Sequence, residues 1–460
     1  MFKSFSKTNV KLIFISFFII SFIFLSGMKY EYFQFRFLIF LLLIPCIFKF
    51  YHDIKIKNYN FLIVFLLLSI ILFTQIILNL YYEKNDLTKH TQNGVIFLLM
   101  IFSISYYYFD YINKNIDFII KFFMIIFSSS CLYSIYNYQP DAPYFCGGIP
   151  YFIKSDALLE RFELWGGVSG RIDDVRFSFK ELIFPENSHL GMIAPSILLF
   201  SIYKMTSQKL SIIYKLLISV FIIICFIKSS TTLYVGTISS LIIIIFFNFR
   251  NLNRKTLLSF SVLIIVFMTI LLFNKECRSR FVPLYSEGNI SDRFSEVSDK
   301  ENASLGFVIR DNDNVRGGIN SYIYDIMNTG GNLSSAIYFH AIGIASKSII
   351  KKPFGWGLNR YDQAFIYFNE INPSDIYQLN DFNNKDGSNN SVKILVEFGV
   401  FSIIILVFIF LFLINNKISI ELKLIYLPFI ITQGIRGAGY FNGGFSLVLF
   451  IMLFTYLKLY

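Results

Sequence analysis

Apolar runs of about 20 residues, the length needed to cross roughly 30 Å of hydrocarbon, recur along almost the whole chain and leave few folds open. Clear runs cover residues 12–26, 61–80, 257–273 and 394–414. A backbone in hydrocarbon has no water to bond its N–H and C=O groups, so runs of this kind predict helices. Composition agrees: 55% hydrophobic and only 15% charged residues, with mean hydropathy +0.58, describe a polytopic all-α membrane protein. Helices are expected at 12–26, 33–49, 60–80, 95–109, 118–136, 187–205, 211–228, 231–248, 256–274, 394–414, 422–433 and 443–458. That makes about twelve transmembrane helices. The first run follows Lys3, Lys7 and Lys11 but offers no small-residue cleavage pattern, so it is read as an uncleaved span.

Two polar stretches interrupt this pattern and divide the chain. Residues 1–137 hold transmembrane helices 1–5, 138–186 a first large loop, 187–274 helices 6–9, 275–393 a second large loop, and 394–460 helices 10–12. One set of alternate connections carries Lys55 and Lys57, Lys114, Lys204 and Lys209, Arg250 with Arg254 and Lys255, and Lys417 with Lys423. Basic connections stay in the cytoplasm, which puts both termini inside and both large loops outside. Richness in Phe, Ile, Lys, Asn and Tyr fits an AT-rich bacterial genome, so the expected setting is the inner membrane, with the large loops in the periplasm. The net charge of +11 is explained by this topology and does not call for nucleic acid.

The span centres are nearly free of charge, whereas a transporter holds ions and polar substrates at midplane. Lys121, Lys215 and Lys228 sit near span ends, where a long side chain reaches the interface. Chemistry is therefore expected at the outer surface. Of the five cysteines, Cys46, Cys131 and Cys225 fall in apolar runs and read as small buried hydrophobes. Cys146 and Cys277 fall on the outer side, where a disulfide between them is permitted.

The first outer loop contains Arg161, Arg171 and Arg176, the second Arg278, Arg280, Arg293, Arg310, Arg316 and Arg360, with His340. Guanidinium groups are always charged and donate paired hydrogen bonds, which suits phosphate and pyrophosphate. The ordinary role of any one of them is pairing with loop carboxylates. Trp165 and Trp356, the two tryptophans, also lie outside; each fits interfacial anchoring or stacking on a sugar ring. There is no P-loop, no dinucleotide fingerprint and no His or Cys cluster for a metal, so neither cofactor nor metal is expected.

Four segments carry a family resemblance: Arg176-Phe-Ser-Phe-Lys-Glu-Leu-Ile-Phe-Pro-Glu-Asn-Ser-His-Leu-Gly191, Ser229-Ser-Thr-Thr-Leu233, Lys352-Pro-Phe-Gly-Trp-Gly-Leu-Asn-Arg-Tyr361, and residues 389–399 ending Leu-Val-Glu-Phe-Gly. In order and loop context they resemble bacterial O-antigen and capsule polymerases of the Wzy type. The resemblance implies a glycosyltransferase that polymerises repeat units carried on undecaprenyl pyrophosphate, with lipid-linked glycans and membrane lipid as partners and room for a chain-length regulator. The related O-antigen ligases have a His before the Asn of the last segment, where this chain has Ser388. The arginine usual upstream of the large-loop Pro is replaced by Ser335-Ala-Ile-Tyr-Phe-His340.

Such a reaction needs a base for the acceptor hydroxyl and positive charge on the departing pyrophosphate. Arg176 is the first choice for the charge, followed by Arg316, Arg360 and Arg310. Glu186, His189, Asp386 and His340 are all eligible as the base. Trp356, Trp165 and Asn389 are the candidate sugar contacts. The alternatives are an O-antigen ligase, a polysaccharide or lipid-linked oligosaccharide exporter, and a non-catalytic assembly subunit.

Overall fold

The computed structural model describes residues 7–24, 29–30, 33–55, 66, 69–70, 72–73, 89–137, 191–227, 230–274, 277, 333–368, 387, 389–437, 439–440 and 444–459. Its helices in chain order are α1 (Lys7–Phe24), α2 (Leu43–Lys55, led in by a 3-10 turn at Phe35–Leu42), α3 (Lys89–Lys114), α4 (Ile116–Asn137), α5 (Ala194–Ser207), α6 (Ile212–Ile227), α7 (Thr231–Asn248) and α8 (Arg254–Phe273). There follow α9 (Leu333–Lys351), α10 (Tyr361–Phe368), α11 (Asn390–Phe398), α12 (Ser402–Ile414), α13 (Ile420–Ile435) and α14 (Phe445–Leu457). The sole extended pairing among the described residues is between Lys29–Tyr30 and Phe33–Gln34.

Helices lie on every segment expected from hydropathy except 60–80, of which only isolated residues are described. Among the described residues four are long and apolar enough to cross a membrane: Gly94–Lys114, Thr231–Asn251, Arg254–Phe273 and Asn390–Ile414. Shorter apolar helices cover Lys11–Ile23, Leu38–His52, Ile212–Phe226 and Phe445–Leu457. The second polar stretch is not irregular throughout, because it contains α9 and α10.

Polar side chains set several helix starts. Ser230, Asn253, Asn389 and Ser419 each accept from the amide three residues on, satisfying a donor that the first turn leaves unbonded. Helix α13 lies at the centre, packed on α5, α7, α11, α12 and α14, while α14 packs along α3 through Phe102, Phe450 and Phe454. The outward surface is apolar: Ile212, Leu216, Phe246, Leu258, Ile265, Phe273, Ile404 and Leu406 are all exposed. A water-soluble protein rarely shows so much contiguous apolar surface, and hydrocarbon is the solvent that fits it.

Candidate functional site

Residues 352–360 form a loop that docks on the last turn of α11. The final carbonyls of a helix have no partner within it. Here the loop supplies the donors: Trp356 N–H bonds to Val396 O at 2.9 Å and Gly357 N–H to Glu397 O at 2.9 Å. In return Val400 N–H bonds to Pro353 O at 2.8 Å. The fit leaves no room for a side chain. Gly355 (φ 90°) and Gly399 (φ 54°) hold backbone conformations that L-residues avoid, and an added Cβ would stand 2.2 Å from Glu397 O and 2.0 Å from Pro353 O respectively.

The Glu397 side chain, 0% exposed, completes the clamp. Oε2 accepts from Asn359 N–H at 2.9 Å and Oε1 from Tyr361 N–H at 3.2 Å. Those two amides flank Arg360, so one carboxylate fixes the backbone on both sides of a candidate guanidinium. Asn359 sits at φ 65°, a left-handed conformation that Asn tolerates better than most residues. Arg360 is buried; its amide bonds to Gly357 O at 3.2 Å, and Nη1 donates to Gln363 Oε1 at 3.3 Å. Lys393, one turn back on α11, brings Nζ to 3.7 Å from Glu397 Oε1 and 5.3 Å from the centre of the Tyr440 ring. Burial, then the charge of Glu397 beside it, pushes the Tyr440 phenol well above its ordinary range.

The C-terminal end of α13 joins this site to α7. Asn390 Oδ1 accepts from Gly439 N–H at 2.9 Å, and Asn390 Nδ2 donates to Gln433 Oε1 at 3.5 Å. A Cβ on Gly236 of α7 would meet Thr432 Oγ1 at 2.6 Å, so α7 and α13 touch backbone to side chain there. One on Gly191 would meet Ser230 Oγ at 2.4 Å. Gly191 closes the first motif segment and Ser230 belongs to the second; 352–361 and 389–399 are the other two. Gly191, the one described residue of the first segment, therefore lies at the same end of the bundle as the other three.

Of the residues singled out in the sequence, Trp356, Arg360 and Asn389 belong to this assembly and His340 lies in the adjoining α9. Trp356 is 3% exposed in a core cluster with Ala341, Tyr361, Phe365, Val392 and Val396, and Lys352 Nζ lies 3.9 Å from its ring centre. Its ring is covered in this structure, an arrangement that holds the loop in place. His340 packs edge-on against Phe365 with centroids 5.4 Å apart. Burial, then the charge of Lys347, pushes its imidazole down to about 4, and its Nε2 has no hydrogen-bond partner among the described residues. Asn389 caps α11 through Oδ1, accepting from Val392 N–H at 2.7 Å, while Nδ2 is buried with no partner among the described residues. Cys277 is disulfide-bonded. Cys146, its expected partner, lies outside the described residues, as do Glu186, His189, Asp386, Arg176, Arg310, Arg316 and Trp165.

Sequence reading missed Glu397, Lys393 and Tyr440 as members of a site. The available signal was an acid and a base one helical turn apart in an apolar run, the spacing at which side chains meet on one face. Among the described residues no group of three His, Cys, Asp or Glu side chains is placed to hold a metal. The sequence matches no protein-family model, no curated protein and no solved structure.

Proposed function

We propose that the chain is a polymerase of the Wzy type, a metal-independent inverting glycosyltransferase that joins undecaprenyl-pyrophosphate-linked repeat units into O-antigen or capsular polysaccharide. The observation that carries this reading is the meeting of three motif segments, far apart in sequence, at one end of the bundle, together with Gly191 of the fourth, and Arg360 pinned on both sides by Glu397. The finer topology belongs to the same reading: about twelve spans in a bacterial inner membrane, both termini cytoplasmic, and the site at the periplasmic face.

In this mechanism the acceptor hydroxyl attacks the anomeric carbon opposite the bond to pyrophosphate. That bond breaks as the new glycosidic bond forms. Arg360, with Arg176, Arg310 and Arg316, neutralises the charge that builds on the departing pyrophosphate, as preorganised cations do in other transfers. One of Glu186, His189, Asp386 and His340 takes the acceptor proton. Asn389 Nδ2, buried with no partner among the described residues, suits a sugar hydroxyl. Glu397, each of whose oxygens accepts from a backbone amide, is a positioning residue.

Deleting the gene and analysing surface glycan tests the reading. The expected result is single repeat units on the final carrier. Long chains retained on the lipid pyrophosphate would move the assignment to a ligase, units trapped inside to an exporter, and wild-type glycan would reject all three. In a complemented strain Arg360→Lys, which keeps charge but loses the paired donors, is expected to shorten chains at unchanged protein level.

A further inference from the structure

The opposite end of the bundle holds a second polar feature, independent of the proposed activity. A cavity of about 520 Å³ opens between the last turn of α5 and the first turns of α8. Its wall includes Ser207, Gln208, Lys209, Lys255, Leu258 and Ser259, and no carboxylate lines it. Two acids beside the wall are engaged by Gln208 and Lys204 and not by the two lining lysines. Glu421 accepts from Gln208 Nε2 at 2.9 Å through Oε1 and meets Lys204 Nζ at 3.0 Å through Oε2, while Asp117 meets the same lysine at 3.3 Å. Lys209 and Lys255 are left with no ion-pair partner among the described residues.

From this cavity an apolar face runs along α8. Leu258, Val262, Ile265 and Leu272 are exposed, and their spacing places them on one side of the helix. The fourteen steps from Leu258 to Leu272 span about 21 Å at the rise of an α-helix, enough to cover the roughly 15 Å of one leaflet's hydrocarbon. Leu258 both lines the cavity and begins the face, so a charged recess and an apolar track are continuous. Arg254–Phe273 is a candidate membrane span by length and composition, and the cavity lies at its N-terminal end, the part of a spanning helix that meets headgroups.

We propose that this cavity binds an anionic glycerophospholipid, its phosphate between Lys209 and Lys255 and one acyl chain along the exposed face of α8. Basic recesses between spans select acidic headgroups in this way. A free phosphate ion makes no use of the apolar track, and a choline headgroup brings its own cation toward the two lysines.

Native mass spectrometry of the full chain, released from nanodiscs containing phosphatidylcholine and phosphatidylglycerol, tests the proposal. The wild type is expected to retain phosphatidylglycerol over phosphatidylcholine. The double variant Lys209→Gln/Lys255→Gln is expected to lose retention about thirtyfold, and the basic-residue control Lys417→Gln to keep it. Leu258→Ser/Val262→Ser is expected to weaken retention with both lysines present. All these side chains are exposed, so folding is not at stake. Equal retention of the two lipids, or wild-type retention by the double lysine variant, would overturn the proposal. So would full displacement by millimolar inorganic phosphate together with an inert Leu258→Ser/Val262→Ser variant, which would identify a free-anion site.

Discussion

Lys204 and Glu397 are both buried ions, at opposite ends of the bundle, and they are satisfied by different means. Lys204 sits among side chains: Asp117, Glu421 and the Gln208 amide oxygen at 3.3 Å surround its Nζ. Nearby, Lys423 Nζ donates to Asn248 Oδ1 at 2.6 Å, and Asn113 accepts from the Tyr426 hydroxyl while donating to Thr455 Oγ1 at 2.8 Å. Glu397 is held mainly by main-chain amides of a single loop. A network of long side chains can lose a member and adjust. A carboxylate bonded to two backbone amides has fixed geometry, because those donors cannot move without moving the loop. Unspent polar groups also surround the second arrangement, including Asn389 Nδ2, His340 Nε2 and Trp356 Nε1, which have no partner among the described residues. Buried orphans of this kind cost free energy, and a bound ligand is one way to recover it. The lysine end has an orphan as well, the Tyr214 hydroxyl beside Asp117 and Glu421, which has no hydrogen-bond partner among the described residues. The two ends therefore differ in how the ion is held: by side chains at one and by backbone amides at the other.

Breaking the clamp has the largest expected effect. Glu397→Ala removes the acceptor of two backbone amides in a dry setting and is expected to cost about 4 kcal/mol in detergent-induced unfolding, with Glu397→Gln intermediate. A wild-type midpoint for the alanine variant would show that the clamp contributes nothing. The second effect is of pH. His340 is kept neutral in the folded chain down to about 4, while an unfolded histidine titrates near 6.5. The unfolded state therefore binds the proton first, and stability falls as pH drops from about 6.5 toward 4, by about 3 kcal/mol. His340→Phe should flatten that dependence; an unchanged pH profile would place the acid sensitivity elsewhere. Third, Gly399→Ala forces a side chain into a left-handed turn against Pro353 O and is expected to cost about 2 kcal/mol. The smallest effect is expected at the lysine end. In the Lys204→Met variant Asp117 and Glu421, 43% and 28% exposed, can rehydrate, so a loss of about 1 kcal/mol is expected. If Lys204→Met proved as costly as Glu397→Ala, the contrast between the two ends would fail.

Hydropathy located the helices well because the solvent imposes the pattern: a buried or lipid-facing helix must be apolar over its length, whatever it packs against. It did not mark α9 and α10, whose apolar residues alternate with Ser, Lys and Asp inside a polar stretch. Residues 352–361 and 389–399 were legible as motifs because glycine, asparagine and proline at fixed offsets announce special backbone geometry. Their mutual docking was not, since Glu397 bonds to residues 36 and 38 positions away and nothing local records that distance. Lys204 shows the same limit. Read along the chain it is a basic residue at the end of a span, and only folding brings it to Asp117 and Glu421.

The Glu397 clamp also bears on how a chain of this kind can vary over evolutionary time. Its donors and its acceptor lie on separate segments, and the register between them sets the bonds. One extra residue between Pro353 and Tyr361 shifts the donor amides past the carboxylate. Length changes are expected to be purged from these residues over time. Relatives would then differ least where the loop is pinned.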